Sequence, residues 1–483
     1  MPCRPVLRRS AAALALCAQL SLAACGGGGS STGSTAGTGS TAPTTPTAQC
    51  TLRDRQLWAE AQIRANYLFP DDLPASLDPA PYATVQAYID ALTATARAAG
   101  KDRGFTYLTS IAQEDAFYAT GQTAALGIRV FYDSANARAF VLDVYESGPA
   151  YAAGFRRGAE IIAIGTTSDV LVPVATLFAQ GGAAAVSDAL GPSTAGVTRT
   201  LRFSLPDGER TRTVTKTNFD IPPVSPDFGV QVFTEPAGKV GYVNLRTFIS
   251  SAETPLRAAF NRFRSEGASR IILDFRYNGG GLVSIAELTG DLLGGNRLPS
   301  DVFSYTVFRP SLSANNATRL FTPGSDSTAP TDLAVIATGA TASASELVTN
   351  AMLPWLQNRL TLVGANSYGK PVGQIAVDRA ACDDRLRIIA FATQNASRQG
   401  DYYTGLAPYL PSRGGKTCAA ADQYQQAIGR NEASVAAAVG AVTGGSCPAI
   451  AAAADSLSEQ SLGRQPLLAR EPTAVQRELP GTF

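Results

Sequence analysis

The chain has 483 residues, of which 45% are hydrophobic and 16% charged, and its formal net charge is +1. This balance argues against nucleic acid as the main partner, because phosphate binding requires clustered positive side chains. There is no histidine, which excludes a Ser-His-Asp or Cys-His catalytic pair and any histidine-ligated metal. A general base would therefore be a lysine, a carboxylate, a tyrosine or a thiolate.

Residues 1–25 are typical of an export signal. Arginines precede an apolar run from Ala11 to Ala24, which is shorter than the about 20 residues of a membrane helix. The run ends in Leu-Ala-Ala-Cys at Cys25, which resembles the lipobox of bacterial lipoproteins and implies that Cys25 is lipidated; the alternative is an ordinary signal in which Cys25 is incidental. Residues 26–50, rich in Gly, Ser and Thr, predict a flexible tether. We therefore expect a lipid-anchored protein of the bacterial cell envelope that faces the periplasm or the exterior.

Four cysteines follow Cys25: Cys50, Cys382, Cys418 and Cys447. An even number in an exported chain predicts two disulfides, for which the sequence allows three pairings. Of these we favour Cys382–Cys418 with Cys50–Cys447. No Cys-x-x-Cys motif occurs, which argues against a redox or thiolate metal site.

Helical periodicity marks the start of the folded chain. Residues 51–118 predict a small N-terminal helical domain, because apolar residues recur at helical spacing from Leu57 to Ile63 and from Val85 to Ala99. A proline-rich loop separates the two segments, and no residue of this domain suggests chemistry. At the other end, residues 448–483 are Ala-rich and then polar, which predicts a surface helix or disorder.

Residues 119–217, called the β-rich module below, predict short strands over 127–132, 139–144 and 161–164. The segment from Ser147 to Ile161 contains Ser-Gly-Pro-Ala and Ala-Gly-x-x-x-Gly, and it resembles the PDZ domains of bacterial proteases. The resemblance implies that Leu126, Gly127 and Ile128 bind a peptide carboxylate, while the peptide joins the sheet as an extra strand. The alternative is a generic β module with glycine turns.

Strands and helices alternate over residues 218–447. Four strands are predicted (240–245, 270–275, 333–338 and 360–364) with helices over 255–266, 283–293 and 343–356. This alternation predicts βαβ crossovers and an α/β core. The reactive loops of such a sheet lie at the carboxyl ends of its strands, which is where three motifs fall.

The first motif is Asp-Phe-Arg-Tyr-Asn-Gly-Gly-Gly, residues 274–281. Three consecutive glycines let backbone N–H groups approach a ligand without a Cβ in the way, which suits an oxyanion hole or a phosphate cradle. Phosphate is disfavoured because no lysine follows at Walker spacing. The alternative is a purely structural turn.

The second and third motifs contain Ser343 and Lys370. Ser343 opens a helix, where the helix dipole would stabilise a developing oxyanion; the alternative is a capping box with Glu346. Lys370 is one of five lysines and lies in an apolar turn after a core strand. Burial could lower its pKa from near 10.4 toward about 7–8, as a general base requires.

Together and in this order, the three motifs resemble those of the carboxyl-terminal processing peptidases, which are tail-specific serine–lysine proteases. The resemblance implies an α/β fold: a ClpP/crotonase-like βαβ core with an inserted PDZ-like domain and a small N-terminal helical domain. It also implies roles for individual residues: Ser343 as the nucleophile, Lys370 as the general base, Gln374 orienting Lys370, and the N–H groups of Ala344 and of Gly281 or Gly280 as the oxyanion hole. Pro371 departs from the family, which usually has glycine there, and it stiffens the turn.

The implied reaction is acyl transfer from proteins or peptides recognised through their carboxyl-terminal ends, without a metal or organic cofactor. Lipid would be the membrane contact, and nucleic acid is not an expected partner. One alternative is a non-catalytic peptide-binding lipoprotein that retains the protease fold. Another is a penicillin-binding Ser-x-x-Lys motif at Ser367 and Lys370, which Gly369 and Pro371 disfavour because they predict a turn rather than a helix.

Overall fold

The computed structural model describes residues 50–451 and 464–483. The predicted signal, the lipobox Cys25 and nearly all of the tether lie outside the described residues. None of the described helices has the length and apolar character that crossing a membrane demands. The fold is mixed α/β, as the sequence predicts.

The N-terminal part is helical, with one short strand. Its elements are α1 (Leu52–Asn66), α2 (Val85–Leu92), α3 (Ala94–Ala98), β1 (Tyr107–Ser110) and α4 (Ile111–Thr120). Thr51 caps α1 by accepting a hydrogen bond from the N–H of Asp54, which satisfies a free donor at the helix start. The helix predicted over residues 85–99 ends at Leu92, and a second begins at Ala94.

The β-rich module is a twisted antiparallel sheet closed by helices. Its elements are β2 (Gln122–Ala125), β3 (Ile128–Asp133), β4 (Arg138–Val144), α5 (Pro149–Ala152), β5 (Glu160–Gly165), β6 (Val172–Pro173), α6 (Val174–Leu190), β7 (Thr198–Leu205), β8 (Gly208–Thr215) and β9 (Thr217–Asp220). The sheet order is β3-β4-β5-β7-β8. Its own hydrophobic core includes the stacked rings of Phe155 and Phe203.

The core comprises two sheets. Its elements are β10 (Val230–Glu235), β11 (Gly238–Asn244), α7 (Glu253–Glu266), β12 (Arg270–Asp274), α8 (Val283–Leu293), β13 (Val302–Phe308), β14 (Ala317–Leu320), β15 (Asp332–Ala337), α9 (Ala344–Leu356), β16 (Leu360–Gly364), β17 (Val372–Arg379), β18 (Asp384–Gln394), α10 (Leu406–Tyr409), β19 (Lys416–Ala419) and α11 (Ala433–Val442).

The first sheet has the order β10-β11-β12-β15-β16-β19, and from β11 onward its strands are parallel. Ile271, Ile272 and Leu273 of β12 are all fully buried, as expected for a parallel sheet covered on both faces. The second sheet is antiparallel, with the order β1-β18-β13-β14 and with β17 on β18. Apolar side chains of α1 and α2 pack on β17 and β18 in one cluster.

The predicted surface helix or disorder after Pro448 is wrong for residues 464–483. They form β20 (Arg464–Pro466) and α12 (Ala474–Glu478), and β20 pairs antiparallel with β3. Leu467 and Phe483 are buried in the core of the β-rich module. The segment is mostly polar, so its composition does not predict burial. Its few apolar residues, such as Leu467 and Phe483, are buried by residues distant in the chain.

The disulfides are Cys50–Cys382 and Cys418–Cys447, so the predicted pairing of Cys382 with Cys418 and of Cys50 with Cys447 is wrong. Helix α1 packs on β18, which brings Cys50, just before α1, to the turn between β17 and β18 that contains Cys382. Cys418 lies in β19, and α11 packs on the same sheet before the chain reaches Cys447. Tertiary packing therefore decides both pairs.

Candidate active site

Three loops meet at the carboxyl edge of the parallel sheet. They follow β12, β15 and β16, which lie side by side with Leu273 opposite Val335 and Val335 opposite Leu362. Because parallel strands end at the same edge, the glycine loop (residues 275–281), the serine loop (338–343) and the lysine loop (365–371) become neighbours. All three predicted motifs are therefore brought together.

Ser343 has an unusual backbone. Its φ is 54° and its ψ −113°, a conformation that costs a non-glycine residue on the order of 1–3 kcal/mol and is concentrated at functional sites. Helix α9 begins at the next residue, Ala344, so Ser343 lies at the positive end of the helix dipole. A Cβ built on Gly280 would lie 2.7 Å from the Ser343 Cβ, so only glycine fits behind this serine.

Glu346 joins the serine loop to the lysine loop. Its Oε2 accepts the backbone N–H of Ser343 at 3.0 Å and that of Lys370 at 2.7 Å, and its Oε1 accepts the N–H of Gly369 and the hydroxyl of Ser367. Burial raises the pKa of Glu346, and these four donors oppose that rise. The sequence marked Glu346 only as a capping residue, whereas its carboxylate organises both loops.

Lys370 lies in a mostly buried environment. Its Nζ donates to Gln374 Oε1 at 3.0 Å and lies 4.6 Å from the centre of the Phe105 ring, and Gln374 in turn donates to the Phe105 carbonyl. Burial lowers the pKa of the amine, while the carboxylates of Glu478 and Asp102 oppose the change. In the described part of the chain, no hydrogen bond joins Lys370 Nζ to Ser343 Oγ.

The glycine loop presents backbone donors beside Ser343. The N–H of Gly280 donates to Asn278 Oδ1 at 2.9 Å and is therefore engaged. The N–H groups of Gly281 and Ala344 have no hydrogen-bond partner among the described residues. Of the two glycines left open by the sequence, Gly281 is the one whose donor remains available for a ligand.

Residues 51–118 contribute contacts to the site that the sequence did not reveal. Arg103 donates to the carbonyl oxygens of Tyr368 and Gly369, at 2.5 and 2.6 Å, and its guanidinium lies 4.0 Å from the centre of the Tyr368 ring. With Phe105, it holds the turn that precedes Lys370. No local signal identifies Arg103, because its partners lie about 265 residues away in the chain.

Leu126 and Gly127 form the turn before β3, whose first residue is Ile128, and the backbone here binds a residue of this same chain. The N–H groups of Gly127 and Ile128 both donate to the carbonyl oxygen of Phe483, at 3.0 and 3.2 Å. Gly127 has φ 88°, and a Cβ there would lie 2.7 Å from Gly148 Cα. The turn therefore presents two convergent N–H donors to one backbone oxygen of this chain, and peptide binding by these residues stays a prediction.

Ser367 is not available as a nucleophile. It is fully buried, donates to Glu346 and accepts the N–H of Leu406 at 2.8 Å. The residues from Ser367 to Lys370 form no helix, so the penicillin-binding alternative lacks its required geometry. Elsewhere in the described ranges, no group of three or more cysteine and carboxylate side chains is arranged to hold a metal ion.

A cavity of about 520 Å³ lies next to the glycine and serine loops. Tyr277 and Ala340 line its core side, while Gln465, Pro466 and Pro480 line the opposite side. Ser343 and Lys370 are not among its lining residues. The cavity is therefore an adjoining chamber rather than the reacting centre itself.

Residues 239–400 match the model of Peptidase family S41. The chain is 26% identical over 255 residues to a carboxyl-terminal-processing protease of Synechocystis sp., covering 52% of this chain and 54% of that protein. A protein of the same name from Picosynechococcus sp. is 29% identical over 259 residues, covering 52% and 55%. The chain thus spans about half the length of these curated relatives.

One solved structure, an S41 protease of Bacteroides fragilis NCTC 9343, superposes with a TM-score of 0.60 and 20% sequence identity. The match covers 80% of this chain and 97% of that one, so the fold is shared over most of the described residues. The predicted resemblance to the carboxyl-terminal processing peptidases is confirmed.

Proposed function

We propose that this protein is a serine endopeptidase with a Ser343–Lys370 dyad, because residues 239–400 match the model of Peptidase family S41. It cleaves exported proteins or peptides near their carboxyl termini. The observation that carries this proposal is the link through Glu346, whose Oε2 accepts the N–H groups of both Ser343 and Lys370. Because this one oxygen atom binds both the serine loop and the lysine loop, we expect Ser343 and Lys370 to act on the same substrate.

In the proposed reaction, the neutral amine of Lys370 takes the proton of the Ser343 hydroxyl as Ser343 Oγ attacks a peptide carbonyl carbon. The C–N bond then breaks, and the ammonium of Lys370 returns its proton to the leaving amine. Lys370 then takes a proton from water as that water attacks the acyl carbon; the C–O bond to Ser343 breaks, and Lys370 returns the proton to Ser343 Oγ. Burial favours the neutral amine that starts this sequence.

The tetrahedral intermediate carries a negative charge that must be stabilised. We assign this role to the N–H groups of Ala344 and Gly281, which have no partner among the described residues. Loss of one such donor typically reduces kcat by roughly 10²–10³-fold. The dipole of α9 adds to the same stabilisation, because its positive end lies at Ala344, next to Ser343.

The decisive experiment is hydrolysis of a set of fluorogenic peptides by the purified wild-type protein, Ser343→Ala, Lys370→Ala and Lys416→Ala. The proposal predicts that the first two variants lose turnover while Lys416→Ala, which removes an exposed lysine, retains it. Absence of turnover in all four proteins would support instead the alternative of a non-catalytic peptide-binding lipoprotein. Equal turnover in all four would contradict the dyad. Circular dichroism and thermal melting verify that each variant is folded.

We further propose that the protein acts outside the cytoplasm and is attached to a membrane through Cys25. Two disulfides support export, because such bonds persist in oxidising compartments. Cys25→Ser should release the protein into the soluble fraction, whereas Cys3→Ser should leave it membrane-bound. Continued membrane fractionation of Cys25→Ser would contradict the lipid anchor.

A further inference from the structure

Strand β3, the edge of the β-rich module that the sequence predicts to bind peptides, is already paired with residues of this chain. Residues 464–467 pair antiparallel with the far half of β3, where Gln465 lies opposite Tyr132. Residues 481–483 pair with the near half, through the N–H of Val130 to the carbonyl of Gly481 at 2.7 Å and the N–H of Phe483 to the carbonyl of Ile128 at 2.9 Å. Residues 464–483 are called the strap below. Its two ends pair with β3, and the segment between them leaves the edge of the sheet.

The end of the strap is seated as a peptide ligand would be. The carbonyl oxygen of Phe483 accepts from Gly127 and Ile128, and the Phe483 side chain is 1% exposed in the core of the module. Gly481 has φ 92°, and a Cβ there would lie 2.5 Å from the Val130 carbonyl. The seat therefore accepts a small residue followed, two positions later, by a large apolar one.

The segment between these two anchors contacts the glycine loop of the candidate active site at Gly279. The carbonyl oxygen of Glu478 touches Gly279, where a Cβ would be 2.4 Å away. The Glu478 carboxylate accepts the Tyr107 hydroxyl at 3.2 Å, and Arg129 Nε donates to the Pro480 carbonyl at 2.8 Å. Val475 and Leu479 are buried with Phe117 and Ile249 of the helical and core parts.

We propose that the strap is an intramolecular ligand of the β-rich module that closes the Ser343 site. A peptide with the same anchors as the strap, a glycine followed two positions later by a phenylalanine, would displace it and open the site. This inference rests on the proposed function for its catalytic consequence, whereas its binding consequence stands alone. Such a peptide would take the Phe483 pocket and the edge of β3, and the strap would leave the glycine loop.

A ligand in the same chain competes strongly. A tethered segment has an effective concentration on the order of millimolar. The binding edge is therefore free for another peptide in only a small fraction of molecules. The apparent affinity for the free peptide falls by the fraction of molecules in which the groove is open. Weakening the strap should therefore increase both peptide affinity and access to Ser343.

The test uses a fluorescent peptide with the sequence of residues 479–483, Leu-Pro-Gly-Thr-Phe, and a control that ends in Asp. Phe483→Asp places a charge in the apolar pocket and should expel the strap. Fluorescence anisotropy should show at least about tenfold tighter binding of the first peptide to Phe483→Asp than to wild type. Leu298→Asp, an equal change at a side chain that is 63% exposed, should bind as wild type does.

A second variant tests the same prediction in case Phe483→Asp does not fold. Gly481→Val collides with the Val130 carbonyl and leaves the pocket itself intact, so it should give the same increase in affinity. Labelling of Ser343 by a fluorophosphonate should also accelerate in both strap variants. Equal peptide affinity in wild type and in the folded strap variants, or equal binding of the Asp-ended control, would overturn the proposal. Tighter peptide binding without Ser343 labelling in any variant would overturn the proposed peptidase activity alone.

Discussion

Ser343 and Lys370 donate their backbone N–H groups to a single oxygen atom, Oε2 of Glu346. The serine loop and the lysine loop come from different strands, β15 and β16, and this carboxylate fixes their separation. Tyr368 reinforces the link by donating its N–H to the Thr341 carbonyl at 2.8 Å. Relative movement of the two loops would break these bonds at once.

Glu346→Gln should impair catalysis by disturbing this link. An amide replaces one carboxylate oxygen with an NH₂ group, which cannot accept the backbone N–H groups around it. A displacement of about 1 Å can reduce the rate by roughly 10²-fold, so kcat should fall by that order while KM changes little. The negative charge of Glu346 also raises the pKa of Lys370, so the acid limb of the residual activity should move to lower pH.

Steady-state kinetics across pH would check both effects, with the exposed Glu209→Gln as the matched control. A fall in kcat without any movement of the acid limb would show that Glu346 acts on structure alone. An unchanged kcat would contradict its positioning role.

Gln374→Glu should shift the pH dependence in the opposite direction. Lys370 must be neutral to act as a base, so activity increases with pH through its pKa. A carboxylate at the hydrogen-bond distance of 3.0 Å would stabilise the ammonium and raise that pKa by roughly 1–3 units. At neutral pH the rate should fall at least about tenfold, and it should recover at higher pH.

The measurement is the pH–rate profile of Gln374→Glu beside Gln180→Glu, which adds the same charge on an exposed face of α6. If the limb of Gln374→Glu does not move to higher pH, Lys370 is not the titrating base.

Arg103→Ala should loosen the turn before Lys370. It removes two hydrogen bonds to the carbonyls of Tyr368 and Gly369 and a guanidinium stacked on Tyr368. We expect kcat to fall about tenfold or more, since Lys370 loses its fixed approach to Ser343. Arg53→Ala, which removes a side chain that is 53% exposed, is the control. Equal rates for the two variants would show that Arg103 does not support the site.

The disulfides predict a difference in stability. Cys50–Cys382 closes a loop of 332 residues and Cys418–Cys447 one of 29, and in the chain-entropy account a longer loop gives a larger stabilisation, typically 2–4 kcal/mol. Cys50→Ser should therefore lower the melting temperature more than Cys447→Ser. Mass mapping after non-reducing digestion checks the pairs; a peptide containing both Cys382 and Cys418 would contradict them.

Local patterns predicted the parallel sheet well. Helix α8 and strand β16 have the predicted bounds; Leu360–Gly364, for example, is mostly apolar and ends at a clear turn. The three motifs were found because each follows a strand of this sheet and contains residues with recognisable chemistry. The antiparallel sheet formed by β13, β14, β17 and β18 was missed, since its partly exposed strands carry polar and charged residues such as Arg385 and Arg387.

What escaped prediction depends on contacts distant in the chain. Arg103 and Glu478 have partners that lie hundreds of residues away or in another module. The disulfide pairs likewise follow from how α1 and α11 pack. Spacing in the sequence carries no record of such packing, so only the folded chain reveals these contacts.

The central claim is that the neutral amine of Lys370 activates the Ser343 hydroxyl, and the most direct test is mass mapping of a fluorophosphonate adduct. Wild type and Lys416→Ala should carry the adduct on Ser343, and Lys370→Ala should lose labelling by at least about 10²-fold. An adduct on another residue, or undiminished labelling of Ser343 in Lys370→Ala, would contradict the claim.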